Sequence, residues 1–194
     1  MTQERAVRTR AQVLRAAAEE FATHGYVGAT LVGVVQRTGL SKGALYGHFS
    51  SKEDLATALL EQAGNELVEH AARCAARGTT ALQALRESVL ELSRRLRGEA
   101  AARSALRLAL EAPHLDRHGT GLVERIRLLV TRAVIEAQAG CRTTGRLPPE
   151  TVTWLLMSAL LGIPHLEPRD DADAARRFDG LWDALSSPRD DGGR

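Results

Sequence analysis

The chain has 194 residues and a formal net charge of +2, and 44% of its residues are hydrophobic but only 4% aromatic. This length accommodates one large domain, or a small one joined to a medium one. Many alanines and leucines and few β-branched runs predict an all-α protein. The longest apolar stretch, residues 154–163, is too short to cross a bilayer, which needs about 20 residues. No basic-then-apolar signal segment opens the chain, so we expect a cytoplasmic protein.

Charge is distributed unevenly along the chain. Residues 1–52 carry seven Lys or Arg against three Glu, a net charge of +4, which leaves −2 for the remainder. A basic amino-terminal segment on a mildly acidic body indicates a polyanion-binding module joined to a second part. Taken alone, the charge fits a solvated helix surface equally well. Cys74 and Cys141 are too few and too isolated for a disulfide framework or a zinc cluster.

The first predicted helix runs from about Thr9 to Thr23 and ends at His24-Gly25. Its apolar stripe consists of Val13, Leu14, Ala17, Ala18 and Phe21. Three arginines precede it, Arg5, Arg8 and Arg10. They form either an arm along a DNA minor groove or a loose end.

Residues 31–55 have the layout of a helix-turn-helix. Leu31, Val34 and Val35 share one apolar helix face, and Gly39 suits the left-handed conformation that ends a helix. Ser41 is placed as the N-cap of the next helix. Its inner face is Leu45 and Phe49, and its outer face carries Lys42, Gly43, Ala44, Tyr46 and His48. A helix that enters a major groove needs small residues, donors and few carboxylates.

Residues 8–60 resemble the amino-terminal domain of the TetR family of transcriptional regulators. The resemblance rests on residues 21–26 (FATHGY), 29–30 (AT), 38–46 (TGLSKGALY), 48–49 (HF) and 51–55 (SKEDL). It implies a three-helix DNA-binding domain over residues 1–50 and a helical ligand-binding and dimerisation domain over 51–187. Residues 188–194 are polar and glycine-rich, which predicts a disordered tail. Two glycines depart from the family pattern, Gly33 inside the first helix of the pair and Gly47, where relatives carry a larger residue.

Further helices follow from apolar spacing and from Gly and Pro breakers. Ser51 caps a helix that continues to about Ala76. The later predicted helices are residues 82–96, Ala100–Glu111, Leu122–Ala139, Glu150–Leu161 ended by Gly162 and Pro164, and Ala172–Ser186. The helix over 150–161 is apolar nearly all round, so it must be covered on all sides. We expect the last two long helices to form a two-fold four-helix interface with a second copy, as in TetR-like proteins; the alternative is burial within the monomer.

Eight residues are predicted to contact DNA: Thr30, Arg37, Lys42, Gly43, Ala44, Tyr46, His48 and Lys52. Lys42 and Lys52 are predicted phosphate clamps, and Thr30 caps a helix end that offers backbone amides to a phosphate. Gly43 and Ala44 are placed nearest the base edges. The alternative is that Tyr46 is packed and His48 merely solvated.

A ligand site in the second domain is implied by the family resemblance rather than by spacing. Residues 103–108 (RSALRL) and 111–113 (EAP) resemble the γ-butyrolactone receptor branch, but residues 122–127 lack the tryptophan usual there. The candidate ligand contacts are Leu106, Leu110, Val130, Val134, Trp154 and Met157. Plain helix core is an alternative interpretation of each.

Other chemistry has little support in the sequence. His114, Asp116 and His118 with Glu111 have metal-ligand side chains but fit a polar connector better. No nucleotide, metallo-hydrolase or nucleophile motif is found, so no cofactor, metal or catalytic residue is predicted. We therefore expect a homodimeric repressor that a small molecule releases from a near-palindromic DNA operator. The alternative is a helical small-molecule-binding protein or enzyme with incidental nucleic-acid affinity.

Overall fold

A computed structural model describes residues 2–77, 80–115, 121–140 and 147–166, with positions 173, 176, 179–180 and 182–183. All regular secondary structure in these ranges is helical, which confirms the all-α prediction. Packing divides the chain into two units, Met1–Leu67 with Gly98–Arg125, and Val68–Arg97 with Ile126–Arg194. The tail from residue 188, Cys141, and most of the predicted helix over 172–186 lie outside the described residues.

Eight α-helices and one 3-10 turn make up the described chain. They are α1 (Thr2–Gly28), α2 (Leu31–Thr38), α3 (Lys42–Tyr46), α4 (Lys52–Ala76), α5 (Ala81–Gly98), α6 (Ala100–Glu111), the 3-10 turn (Pro113–Leu115), α7 (Leu122–Gly140) and α8 (Pro149–Leu166). The predicted bounds of α6 and the predicted carboxyl end of α4 are confirmed.

Two helices extend beyond their predicted ends. Helix α1 begins at Thr2, so Arg5, Arg8 and Arg10 are helical residues and form neither an arm nor a loose end. Arginine, glutamine, glutamate and alanine make up six of residues 2–10, against two threonines and one valine, and these four types are good helix formers. Helix α8 continues past Gly162 and Pro164 to Leu166. A proline so near a helix end removes one backbone hydrogen bond and leaves the preceding turns intact.

The first unit is built on α1. Helices α2, α3 and α6 pack against it. The predicted apolar stripe is confirmed, since Val13, Leu14, Ala17, Ala18 and Phe21 are all buried. Buried side chains from the rest of the unit include Val34, Leu45, Phe49, Leu55 and Leu108. Each fully buried side chain of this size stabilises the folded state by about 1.5–3 kcal/mol.

The second unit buries apolar residues from α5, α7 and α8. The predicted inward positions Leu85, Val89 and Leu96 of α5 are buried, as are Val134 of α7 and Leu156 of α8. Across the chain that the structure describes, none of the helices has the length and apolar character needed to span a membrane.

Candidate nucleic-acid interface

Helix α2 begins and ends where the sequence predicts. Thr30 has an extended backbone, and its Oγ1 accepts a hydrogen bond from the Gly33 N–H at 3.0 Å. Gly39 follows the helix with φ 66° and ψ 9°, and its N–H donates to the Val35 carbonyl at 3.1 Å. Glycine adopts this left-handed conformation without the steric penalty of a side chain. These caps fix the short connection that leads into α3.

Helix α3 presents one apolar and one open face. Ser41 Oγ caps it by accepting from the Ala44 N–H at 3.2 Å. Leu45 is buried on its inner side, and Phe49 is buried just after it. On its outer side Lys42, Gly43 and Tyr46 are exposed, and Ala44 and the nearby His48 are half-buried. The predicted division into inner and outer residues is confirmed.

A buried carboxylate joins α1 to α2. Glu20 is 5% exposed, and its carboxylate accepts from the Thr30 N–H at 3.2 Å and from Arg37 Nε at 3.0 Å. Burial by itself would raise the pKa of Glu20. The hydrogen bonds from Arg37 and Thr30 and the charges of His24 and Arg37 outweigh it, so the pKa lies below its ordinary value.

Gly33 provides the room for this carboxylate. A Cβ atom at position 33 would lie 2.2 Å from Glu20 Oε1, closer than non-bonded atoms approach. The structure thus explains one of the two glycines that depart from the family pattern. At the other, Gly47, φ is −67°, a value that any residue adopts.

Lys52 is held inside its own unit. Its Nζ donates to the carbonyl oxygens of Tyr26 at 2.7 Å and Ala29 at 3.1 Å, and lies 4.7 Å from the centre of the Tyr26 ring. These carbonyls lie at and just beyond the carboxyl end of α1, where helices lack backbone partners. Both predicted cations therefore bond within the unit. Lys52 donates to backbone carbonyls, and Arg37 donates to Glu20. Sequence reasoning named both residues but found neither partner.

The outer face of α3 has the chemistry of a surface that approaches phosphate. Residues 31–49 contain no Asp or Glu. Lys42 supplies a cation, Tyr46 a hydroxyl, and Gly43 and Ala44 permit close approach of the backbone. Thr30 lies at the amino end of α2, where free N–H groups favour an anion. These features support contact with a polyanion.

Comparison with known proteins agrees with this geometry. Residues 13–59 match the family described as bacterial regulatory proteins, tetR family. The crystal structure of a gamma-butyrolactone receptor (ArpA like protein) is 29% identical, with a TM-score of 0.81 over 93% of this chain and 87% of that one. CprB from Streptomyces coelicolor A3(2) is 30% identical, with a TM-score of 0.78 over 93% of this chain and 88% of that one. The chain belongs to the TetR family.

Curated TetR proteins match part of the chain. The A-factor receptor protein of Streptomyces griseus is 34% identical over 114 residues, which are 58% of this chain and 39% of that protein. The chain spans about a third to two-fifths of the length of the curated relatives it matches. CprB has also been solved in complex with its biological operator sequence.

The residues predicted to contact a ligand in this TetR protein differ in burial. Leu106, Val130, Val134 and Met157 are buried, whereas Leu110 is 53% exposed and Trp154 is 67% exposed. Leu106 and Leu110 belong to the first unit and the other four residues to the second. Their roles in ligand binding stay predictions.

The candidate metal cluster is engaged in other contacts where it is described. Glu111 accepts from the Tyr26 N–H at 2.9 Å, and the His114 ring lies edge-on to the Tyr26 ring at 5.9 Å. Asp116 and His118 lie outside the described residues. Within the described ranges, no three His, Cys, Asp or Glu side chains are grouped so that they could hold a metal ion.

Proposed function

We propose that this protein is a sequence-specific DNA-binding transcriptional repressor that inserts α3 into the major groove. The observation that carries the proposal is the outer face of α3. Lys42, Gly43 and Tyr46 are open to solvent there, while Leu45 and Phe49 fix the helix to the core. The family match and the operator complex of CprB support the same conclusion.

The proposed DNA contacts divide into two classes. Lys42 binds a phosphate and contributes affinity without sequence preference, as does the Thr30 end of α2. Gly43 and Ala44 lie against base edges, where the alanine methyl group contacts a thymine methyl group. Tyr46 and His48 contact the sugar-phosphate backbone or neighbouring bases. Arg37 and Lys52 serve this surface by positioning it, since both already have partners within the unit.

The repressor acts as a homodimer on a near-palindromic operator. Two copies of α3 related by a two-fold axis match two half-sites about one helical turn apart. Exposed apolar side chains on α7 and α8, Leu128, Ile135 and Trp154, support an interface on the second unit. Trp154 is therefore assigned to this interface.

The effector of this repressor is a small, largely apolar molecule. Two similar proteins are named receptors, one for a gamma-butyrolactone and one for A-factor. Of the predicted contacts, we retain those buried within the second unit, Val130, Val134 and Met157. In the dimer, an effector can bind better to a conformation whose two α3 helices are wrongly spaced for the operator. It then lowers DNA affinity by the difference between its affinities for that conformation and for the DNA-binding one.

The proposal is tested by selecting bound duplexes from a random pool. Affinity for the selected duplex is then measured by fluorescence anisotropy. Lys42→Ala should weaken binding to selected and scrambled duplexes alike and reduce the slope of log affinity against log salt by about 1 for each contact. Ala44→Ser should instead change the preferred base at one position of each half-site.

A matched charge control is Arg73→Ala, because Arg73 is an exposed cation of α4 in the second unit. It should leave both the affinity and the salt slope as in the wild type. An unchanged slope for Lys42→Ala would contradict the proposed phosphate contact. Tight ligand binding by a protein that shows no salt-dependent duplex binding would favour a small-molecule-binding protein instead.

A further inference from the structure

Helix α1 is interrupted three residues before its end. Gly25 has φ 69° and ψ −177°, a backbone conformation that side chains strongly disfavour. In a continuous helix the Tyr26 N–H would bond the Ala22 carbonyl, because the bond joins residues four apart. The interruption separates these two groups, and each needs another partner.

Two side chains of α6 supply those partners. Arg107 Nη1 donates to the Ala22 carbonyl at 3.0 Å and to the Thr23 carbonyl at 3.2 Å. Glu111 Oε2 accepts from the Tyr26 N–H at 2.9 Å, and Glu111 Oε1 accepts from Arg107 Nε. We call Arg107 and Glu111 the α6 clamp. The clamp occupies the gap between the two backbone groups that the helix would otherwise join.

Gly25 makes room for the clamp as well as forming the break. A Cβ atom at this position would lie 2.4 Å from Glu111 Oε2 and 2.8 Å from Arg107 Nη2. The backbone conformation and the access of the two side chains therefore both depend on glycine at position 25.

The segment beyond the break determines where α2 begins. Residues 26–29 connect Gly25 to Thr30, whose hydroxyl caps α2. Lys52 binds the carbonyls of Tyr26 and Ala29, and the Tyr26 ring stacks on Phe21 with the ring centres 6.3 Å apart. The clamp adds the bond to the Tyr26 N–H from the α6 side. Because α3 follows α2 after a short turn, the same segment affects the placement of α3.

We propose that Arg107 and Glu111 are positioning residues for DNA binding, which hold the α1–α2 junction so that α3 meets the groove correctly. The inference rests on the proposed function for its DNA readout. Without the clamp, the Tyr26 N–H and the Ala22 carbonyl bond to water or to each other. Either change frees residues 26–29 from their present course and weakens binding to the operator.

A charge effect and a positioning role predict opposite changes in DNA affinity. Glu111→Ala removes a negative charge from the unit that carries α3, and general attraction to phosphate would then increase DNA affinity. Loss of the clamp lowers DNA affinity instead. The direction of the change therefore separates a positioning role from a simple charge effect.

The experiment compares the full-length wild type with Glu111→Ala, Glu111→Gln and Glu69→Ala. Glu69 is a matched control, because it pairs with Arg73 four residues away on α4, as Glu111 pairs with Arg107 on α6. Hydrogen–deuterium exchange reports on peptides that contain residues 24–31, and anisotropy reports affinity for the selected duplex. Circular dichroism establishes that each variant is folded.

We expect Glu111→Ala to speed exchange in this peptide by about tenfold and to weaken duplex binding by about tenfold, as for one lost hydrogen bond. The amide oxygen of Glu111→Gln can still accept from Tyr26, so this variant should keep most of both properties. Glu69→Ala should match the wild type.

Three results would overturn the inference: unchanged exchange in Glu111→Ala, unchanged or stronger duplex binding by that variant, or the same losses in Glu69→Ala. A wild type that binds no duplex overturns the proposed function instead. Hydrogen–deuterium exchange then tests the positioning role by itself, and unchanged exchange in Glu111→Ala rejects that role.

Discussion

At the scale of single residues, the unit that carries α3 depends on charged side chains that face inward. Glu20, Arg37 and Lys52 all bond to backbone or to each other beside the surface that α3 presents. A buried charge is tolerated when hydrogen bonds replace its water. The placement of α2 therefore depends on ionisation as well as on apolar packing.

Glu20 should make the stability of this unit depend on pH. Its pKa is lowered by folding, so ionised Glu20 stabilises the folded state above its unfolded pKa, about 4.3. This stability is lost as the pH falls through the lower folded value. In urea titrations followed by circular dichroism, Glu20→Gln should cost about 1–3 kcal/mol at pH 7. The difference from the wild type should shrink below pH 4.5 or so.

Glu4→Gln is the control for this titration, because Glu4 is an exposed carboxylate on the same helix. It should follow the wild type throughout. A Glu20→Gln variant with a constant offset from the wild type between pH 3 and pH 7 would show that ionisation of Glu20 does not contribute.

At the scale of helices, the sequence predicts the features that local chemistry determines. Thr30 and Ser41 cap the two helices of the motif, and Gly39 ends the first, because each acts within three or four residues of itself. The contacts that the sequence does not reveal join distant residues. Glu111 and Tyr26 are 85 residues apart, and no spacing rule connects them. The sequence shows that Gly33 departs from the family pattern, but only the structure shows that the Glu20 carboxylate occupies the space of a side chain there.

Gly33 and Gly43 should respond in opposite ways to alanine. Alanine favours a helix over glycine by about 1 kcal/mol. Gly43→Ala should show this gain, up to about 1 kcal/mol, because its Cβ would meet only Ser41 Oγ at 3.9 Å. Gly33→Ala should instead destabilise the unit by about 1–2 kcal/mol, because it displaces a carboxylate from two hydrogen bonds. Urea unfolding of both variants provides the comparison.

Glu20→Ala provides a second background in which to test the effect of Gly33→Ala. If Gly33 exists to accommodate Glu20, Gly33→Ala should stabilise a protein that already carries Glu20→Ala. Equal destabilisation in both backgrounds would mean that the clash does not involve this carboxylate.

At the scale of the whole molecule, an apolar residue belongs either to the core or to a contact surface, and its exposure in the structure distinguishes the two. The sequence placed Trp154 with the ligand contacts, because helical spacing identifies apolar positions without saying what covers them. In the structure Trp154 is open on α8, and Ile135 and Leu128 are open on α7. Soluble chains rarely leave such side chains uncovered together. A second copy is the occupant that the proposed near-palindromic operator requires.

Trp154→Glu should therefore abolish or greatly weaken dimerisation while leaving each chain folded. A buried aromatic residue at a two-fold interface contributes from both subunits, and the substitution places two like charges there. Sedimentation equilibrium should show a wild-type dimer and a variant dissociation constant at least about tenfold higher. Val7→Glu, which alters an exposed apolar residue of α1, should leave the dimer intact. A wild type that is monomeric at tens of micromolar, or a Trp154→Glu protein that dimerises normally, would reject this interface.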